Sequence, residues 1–390
     1  MDDTSTIDHT ETRQRLLDTV AEISEELTAR TQDDEGNGTL TAKSVEILET
    51  AGMFRLKLSR ALGGVEADPT TQLVVIEALS YANPAAGWCA MVGSTSVAMP
   101  GAFLTDEAIE QMFPDGRIPR CAAVAMPIGK VEVVDGGYRL TGRWPFGSGV
   151  RHSEWIAAGA TVMRGEAVEH RMMAFPTASA QIHDNWQVAG LKGTGSCDFS
   201  VDNLFIAEAF SWLRDDGEHM RGGPLYTIGL PGFVANEHAG FAIGVGRRAL
   251  DSFVEREAAK ARGYSSSKAS LGARPAIQQM LGRGELRLRA ARNLAIEIND
   301  AAYQAACATG NPSNRLHGEM RAVATHCTDV ALDVVTEAFR YSGGGAIYQK
   351  NILQQCLRDM NVAAQHLMVS EMAYETLGQM ILGVPDVPPM

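Results

Sequence analysis

The apolar residues of this chain change their spacing twice, and that change constrains the fold most strongly. Residues 10–30 carry the spacing of an amphipathic helix. From Pro119 onward apolar residues alternate with polar ones, as in residues 130–134 before a turn at 135–137, which is typical of a strand entering a hairpin. After a polar, glycine-rich segment at 214–224 the helical spacing returns. The order helices, strands, helices predicts an α+β fold.

We expect three domains, at residues 1–117, 118–212 and 213–390. Helices are predicted in the first domain over residues 10–30, about 41–52, 71–81 and 85–103, and the last of these is apolar enough to be buried. Strands are predicted in the second over 130–134, 138–140, 155–163, 171–176, 181–188 and 197–206. The third is expected to be a bundle of four long helices over 233–262, 276–309, 318–341 and 353–382.

The composition is that of a globular protein. A chain of 390 residues with 45% hydrophobic content can build a large core. Its net charge of -13 and its dispersed lysines and arginines argue against nucleic-acid binding. The sequence opens without the pattern of a secretory signal and contains no apolar run of about 18 residues. We therefore expect a cytoplasmic protein that does not enter a membrane.

Several common kinds of site lack their motifs. The sequence contains no Gly-x-Gly-x-x-Gly after a strand, no P-loop, no His-Glu-x-x-His and no Gly-x-Ser-x-Gly. The six cysteines are scattered, and the nine histidines lack metal-ligand spacing. These patterns argue against Rossmann nicotinamide binding, ATP, zinc and serine-hydrolase chemistry, and no metal is expected.

Residues 140–149 place one hydroxyl, that of Ser148, among glycines and aromatic side chains. Such a hydroxyl can meet the edge of a flat heterocycle, although such a segment, taken alone, is most often a tight β-turn. His366 lies in a predicted helix of small side chains. There it lines a cavity, or it is a core histidine whose ring nitrogens are hydrogen-bonded within the protein. His238 likewise lines a cavity, or it lies on the surface of a helix. The glycines at 343–345 offer backbone N–H groups to a phosphate or form a plain connecting loop.

Six segments, taken in order, resemble the acyl-CoA dehydrogenase superfamily. They are residues 51–64, 140–149, 189–196, 276–292, 341–345 and 358–359, and they span nearly the whole chain. The resemblance implies an N-terminal helical domain, a middle β-barrel or β-sandwich domain and a C-terminal four-helix bundle. It also implies a flavin and a homotetramer.

The same resemblance outlines a flavin site. It implies that Ser148 lies against flavin N5, with Phe146 beside it, and that residues Ala125, Met126 and Pro127 lie along the pyrimidine side. Gly343 and Gly344 would reach the pyrophosphate or adenosine of a flavin held mainly by a neighbouring subunit. Arg262 is expected at the same phosphates, with Lys260 as the alternative. The cofactor is predicted to be FAD, and FMN stays open.

The chain departs from the dehydrogenases at the catalytic base. Removal of the α-proton of an acyl thioester needs a carboxylate, yet Leu367 occupies the usual position and Val234 the alternative one. The arginine expected beside the second position is replaced by Ala235, and Glu237 lies too far along the helix to substitute. These departures argue against an acyl-CoA dehydrogenase, which is kept as the alternative.

The pair Gln365-His366 after Arg358-Asp359 resembles the oxygenase components of two-component flavin monooxygenases. Members include p-hydroxyphenylacetate hydroxylase and dibenzothiophene monooxygenase. In that branch a separate NAD(P)H-dependent reductase supplies reduced flavin, which reacts with O2 to a C4a-hydroperoxide. The resemblance implies two catalytic residues: Ser148, which would hold flavin N5–H, and His366, which would hydrogen-bond near C4a. We therefore predict hydroxylation of a small aromatic or heteroaromatic molecule.

The predicted substrate residues come from two helices. Trp88 and Phe241 would line an apolar pocket or belong to the core, while Ser94 and Ser96 stand where related phenol hydroxylases carry a histidine. Glu237 and His238 complete the set. Two further alternatives stay open: an amino-sugar N-oxygenase of the nitrososynthase type, and a flavin-less binding or scaffold member of the fold.

Overall fold

The computed structural model describes residues 9–214, 217–260 and 270–388. It confirms the order helices, strands, helices. The N-terminal helices are α1 (His9–Asn37), α2 (Ala42–Thr50), α3 (Pro69–Ala82), α4 (Pro84–Phe103) and α5 (Asp106–Met112). As predicted, α4 is almost entirely buried.

The entry of the chain into α3 and α4 is fixed by side-chain caps. Asp68 accepts a hydrogen bond from the N–H of Thr71, and Asn83 accepts from the first free N–H groups of α4. A proline follows each cap, where its missing N–H costs nothing. The Asn83 amide also donates to Asp34 in α1, at 2.9 Å. These bonds set the start of α4, which carries Trp88 into the interior.

The middle strands form one seven-stranded mixed sheet in the order β5-β6-β2-β1-β3-β4-β7. The predicted hairpin of β1 and β2 is confirmed, whereas most of the strand predicted at 181–188 is wrong, since only two residues pair there. The strands are β1 (Cys121–Val134), β2 (Gly137–Gly147), β3 (Trp155–Arg164), β4 (Ala167–Pro176), β5 (Gln181–Ile182), β6 (Cys197–Ala207) and β7 (Ser211–Leu213). The pairing of β1 with β3 shifts register between Val124 and Gly129, so that the residues between them bulge from the strand.

The C-terminal helices are α6 (Gly229–Arg256), α7 (Pro275–Thr309), α8 (Asn314–Ser342), α9 (Ile352–Ala363) and α10 (Met372–Ile381). The single helix predicted over 353–382 is wrong, because the chain leaves α9 and forms a 3₁₀ turn at Leu367–Val369. The cause is the His366 side chain, whose Nδ1 accepts the N–H of Met368 at 3.2 Å and caps that turn. His366 therefore lies in a break between two helices.

The N-terminal and C-terminal helices meet where α3 crosses α6. A Cβ added at Gly240 would lie 2.3 Å from the carbonyl oxygen of Leu73, and one at Gly244 would lie 2.2 Å from that of Glu77. Only glycine allows this approach of the two backbones. Among the helices that the structure describes, none is long and apolar enough to cross a membrane.

Candidate active site

Two histidines and two aromatic rings from three helical segments form one cluster. His238 of α6 and His366 of the α9–α10 break have ring centroids 4.4 Å apart. Trp88 of α4 contacts both in edge-on geometry, at 5.3 Å from His238 and 5.8 Å from His366. Phe241, one helical turn after His238, packs edge-on against the same indole at 5.1 Å. The fold thus brings four of the predicted site residues together.

Ser148 joins this cluster through Trp88. The indole Nε1 donates to Ser148 Oγ at 3.2 Å. Ser148 Oγ lies 2.7 Å from Ser196 Oγ, and Ser196 Oγ lies 2.7 Å from Thr194 Oγ1. Thr194 Oγ1 donates to the carbonyl oxygen of Leu191 at 2.8 Å. A row of three hydroxyls, which we call the hydroxyl chain (Ser148, Ser196 and Thr194), therefore runs from the indole to a backbone carbonyl.

The far end of the hydroxyl chain is held by α9. Leu191 adopts a left-handed conformation with φ of 50°, which is uncommon for a residue with a branched side chain. Its N–H donates to Asp359 Oδ1 at 2.6 Å. At Gly190 an added Cβ would lie 2.2 Å from the carbonyl oxygen of Arg358. Burial raises the pKa of Asp359 to about 6, although the bond from Leu191 favours the carboxylate. The Arg358-Asp359 pair thus positions the loop that carries Thr194 and Ser196.

The sheet beside Ser148 exposes apolar side chains. Phe146 has φ of 65° and is 64% exposed, and its ring meets that of Trp186 edge-on. On the bulge of β1, Met126 is 40% exposed, and the carbonyl oxygen of Pro127 accepts a hydrogen bond from Thr161 at 2.8 Å. The carbonyl oxygen of Ala125 accepts from Arg214. The two backbone carbonyls are therefore used within the protein, while the exposed apolar side chains suit contact with a flat ring.

The sequence argument missed a buried ion pair that lies behind His238. Lys57 Nζ is 2.5 Å from Glu237 Oε2, and neither side chain is exposed. The ammonium also donates to the carbonyl oxygen of Phe233 at 2.5 Å and to Thr95 Oγ1 at 2.8 Å. Burial lowers the pKa of Lys57 and raises that of Glu237 to about 7. The sequence signal for this ion pair was a lysine flanked by two leucines, Leu56 and Leu58. Both leucines are fully buried in the structure, and a lysine is rarely buried unless it is paired.

This pair changes the interpretation of three predicted substrate residues. Glu237 forms an ion pair with Lys57 through Oε2, while its Oε1 has no hydrogen-bond partner among the described residues. Ser94 Oγ accepts the backbone N–H of Lys57 at 2.9 Å. The hydroxyl of Ser96 donates to the carbonyl oxygen of Val92 at 2.7 Å, inside its own helix. All three polar groups therefore serve contacts within the protein.

The two histidines are held neutral. Burial lowers the pKa of His238 well below its ordinary value, and the neighbouring His366 and Lys57 add to that effect. Although the His366 side chain is open to solvent on one side, the surrounding protein desolvates the ring and lowers its pKa to about 4. Because Nδ1 of His366 accepts the Met368 N–H, we assign the proton of the neutral ring to Nε2. His366 can therefore donate a hydrogen bond through Nε2.

The buried neutral state of His238 predicts a pH effect on stability. In the unfolded chain this imidazole binds a proton near its ordinary pKa, whereas the folded protein excludes it. Stability is therefore lost as pH falls below about 6.5, by about 1.4 kcal/mol per pH unit. The variant His238→Phe has no imidazole at this position and does not lose this stability. The difference in unfolding free energy, variant minus wild type, is therefore expected to rise as the pH falls from 6.5 to 5. Urea unfolding measures it. A rise of the same size in His326→Phe, at an exposed position of α8, would contradict the assignment.

The predicted phosphate region lies at the end of α8. Gly343 has φ of 67°, and an added Cβ at Gly344 would meet nothing within 4 Å. This leaves backbone accessible to a ligand. Arg262 lies outside the described residues, and the alternative Lys260 donates to Glu257 at 2.8 Å. Within the described ranges, no group of three or more His, Cys, Asp or Glu side chains could hold a metal ion.

The comparisons with known proteins agree with this architecture. Residues 10–115 match the acyl-CoA dehydrogenase N-terminal domain, and residues 237–371 match the acyl-CoA dehydrogenase C-terminal domain. The chain is 27% identical to an indole-3-acetate monooxygenase of Pseudomonas putida, over 88% of this chain and 87% of that one. It is 26% identical to the oxygenase subunit HsaA, a flavin-dependent monooxygenase of Rhodococcus jostii, over 92% of this chain and 96% of that one. XiaF from Streptomyces, solved in complex with FADH2 and glycerol, superimposes with a TM-score of 0.87 at 22% identity over 98% of both chains. By its two domain matches and its fold, the chain belongs to the acyl-CoA dehydrogenase superfamily.

Proposed function

We propose that this protein is the oxygenase component of a two-component flavin monooxygenase that hydroxylates a small aromatic or heteroaromatic molecule. The observation that carries the proposal is the neutral His366, a donor through Nε2, next to Trp88, which bonds Ser148. The relatives named as indole-3-acetate monooxygenase and as HsaA support this reaction class.

The dehydrogenase alternative gains no free base from Glu237. Glu237 is the carboxylate of α6 that stands next to the histidine cluster, and it is paired with Lys57 in the interior. A general base must be free to reach the proton that it removes. The geometry therefore favours oxygenation over removal of an α-proton.

The residues present fit a flavin. Ser148 is 8% exposed and retains one unused lone pair, since a hydroxyl has two and Trp88 uses one. Phe146 and the bulge at 125–127 would border the ring system, and the glycines at 343–344 would approach the phosphates. When bound and reduced, the flavin supplies the activation of O2. The protein's contribution is to hold the ring, to donate the Nε2 proton of His366 and to keep water away with Trp88 and Phe241.

For the substrate we propose an aromatic ring with an N–H or O–H group. His238 is 4% exposed, and the described residues offer it no hydrogen-bond partner. A neutral imidazole in that state can accept a hydrogen bond from such a group. The substrate of the Pseudomonas relative, indole-3-acetate, carries an indole N–H, which supports this class.

The test is product formation with reduced flavin supplied by a separate reductase. Purified protein, FAD, an NADH-dependent flavin reductase and O2 would be incubated with indole or a phenol, and hydroxylated product and H2O2 would be quantified. Product is expected only when all components are present. Reduction of added flavin by an acyl-CoA would favour the dehydrogenase, and N-oxidation of an amino sugar would favour the nitrososynthase. Failure to bind flavin in either redox state would favour a scaffold.

Ser148→Ala is expected to raise the ratio of H2O2 to product about three- to tenfold, because it removes a hydrogen bond to the N5 side of the flavin. The ratio is measured in the same coupled assay. Ser153→Ala is the matched control, since Ser153 bonds Thr177 outside the hydroxyl chain at 3.0 Å. An unaltered ratio in Ser148→Ala would count against the N5 assignment.

We further propose that reduced FAD is the working cofactor, that it comes from a separate NAD(P)H reductase, and that the protein is a homotetramer. The FADH2 complex of XiaF supports the choice of FAD. Exposed apolar side chains near the C-terminus, including Ile381 and Leu382, support association of subunits. Sedimentation measures the oligomeric state, and binding titrations of FAD against FMN measure the preference.

A further inference from the structure

We infer that Thr194 and Ser196 act as positioning residues that orient the Ser148 hydroxyl as a hydrogen-bond acceptor, so that the site favours flavin with a proton on N5. The inference rests on the proposed function, specifically on Ser148 facing N5. It concerns the direction of the hydrogen bonds in the hydroxyl chain.

The direction is fixed at the carbonyl end. The carbonyl oxygen of Leu191 can only accept, so the proton between it and Thr194 Oγ1, at 2.8 Å, belongs to the threonine. Thr194 has one hydroxyl proton, and it must therefore accept from Ser196 across the 2.7 Å contact. Ser196 in turn has no second proton, so it accepts from Ser148 across the next 2.7 Å contact.

The direction is also fixed at the indole end. Trp88 Nε1 is a donor only, and it points to Ser148 Oγ at 3.2 Å. Ser148 thus gives its proton to Ser196, accepts one from Trp88, and keeps one free lone pair. All three hydroxyl residues are more than nine-tenths buried, so water does not readily replace a missing partner.

A count of protons gives the consequence for a ligand at Ser148. With a ligand at Ser148, the hydroxyl chain takes part in four contacts: one with the Leu191 carbonyl oxygen, two between its own members and one with the ligand. Its three hydroxyl groups supply only three protons for these four contacts. A ligand that brings its own proton, as N5–H of reduced flavin does, completes all four. A ligand atom that only accepts, as N5 of oxidised flavin does, forces every hydroxyl to reverse. The Leu191 carbonyl oxygen then keeps its bonds from Trp186 Nε1 and the Thr194 N–H, both at 3.1 Å, but loses the one from Thr194 Oγ1 and faces an oxygen without a proton at 2.8 Å.

The lost bond sets the size of the expected preference. One neutral buried hydrogen bond changes an equilibrium by about two- to tenfold. The hydroxyl chain should therefore contribute a factor of about two to ten to the ratio of the dissociation constants for oxidised and reduced flavin.

Two variants remove this contribution by different routes. In Thr194→Val, Ser196 is released from Thr194 and can donate to Ser148, which can then donate outward. In Ser196→Ala, the Ser148 proton is released directly. In both, binding of oxidised FAD is expected to tighten about two- to tenfold while binding of reduced FAD stays the same. A residue with a merely structural role would weaken both forms together.

The experiment titrates the purified full chain with oxidised FAD in air and with dithionite-reduced FAD under anaerobic conditions. Thr177→Val is the matched control, because Thr177 pairs with Ser153 in the same domain at 3.0 Å without joining the hydroxyl chain. An unchanged ratio in both variants, or a parallel loss of affinity for both forms, would overturn the inference. Ser148→Ala separates the two proposals: if it alters neither affinity, flavin does not bind at Ser148 and the proposed site itself is wrong.

Discussion

Lys57→Met is expected to lower the free energy of unfolding by about 3 to 5 kcal/mol, which is typical when one partner of a buried ion pair is removed. The ammonium bonds Glu237, Phe233 and Thr95 at the same time. Without it, the Glu237 carboxyl is buried without a compensating charge, and its pKa, already raised by burial to about 7, rises further. Urea unfolding at pH 8 measures the loss.

Two companion variants define the cause. In Lys57→Met with Glu237→Met, most of the loss is expected to be recovered, because two apolar side chains replace two buried charges. Arg55→Met, two residues earlier at an exposed position, is expected to change stability by no more than about 0.5 kcal/mol. The loss in Lys57→Met should also be smaller at pH 6, where Glu237 binds a proton. Equal stability of the single and double variants would show that the charge of Glu237 is not responsible.

His366→Ala is expected to raise the ratio of H2O2 to hydroxylated product about ten- to a hundredfold, the effect of about 1.4 to 2.7 kcal/mol at the reacting centre. The variant loses the Nε2–H donor. In wild type the pKa of His366, lowered to about 4, keeps Nδ1 without a proton so that it accepts the Met368 N–H, and the single ring proton lies on Nε2. The ratio is measured in the reductase-coupled assay with indole.

A second substitution separates the donor from the cap. His366→Asn keeps an acceptor for the Met368 N–H, as asparagine is a good N-cap, yet it lacks the ring nitrogen that would reach the flavin. It should therefore keep the 3₁₀ turn and still release peroxide. If His366→Asn gives the same ratio of H2O2 to hydroxylated product as wild type, the role of His366 is confined to capping the turn.

The elements that the sequence predicted well are those with a local signal. Apolar periodicity predicted α4 and the hairpin of β1 and β2, since period and turn residues are short-range properties. The break before Leu367 was missed because residues 364–371 contain neither glycine nor proline, and the bond from Met368 N–H to a side chain stops the helix instead.

In the candidate site, too, some features have a sequence signal and others depend on contacts made only in the folded chain. Ser148, His366 and Trp88 were all named from the sequence, and the resemblance gave the first two their roles. That Trp88 contacts both of them is seen only in the folded chain. The pairing of Lys57 with Glu237 joins positions that are distant in sequence, so neither residue predicts the other. The order of the hydroxyl chain likewise depends on distances between loops that composition and period do not encode.

The contact between α3 and α6 has a consequence for the histidine cluster. At Gly240 and Gly244 the two backbones approach so closely that no side chain fits between them. A methyl group at either position would push the two helices apart. Because α6 also carries His238 and Phe241, the absence of two side chains sets how closely these rings lie to the N-terminal helices.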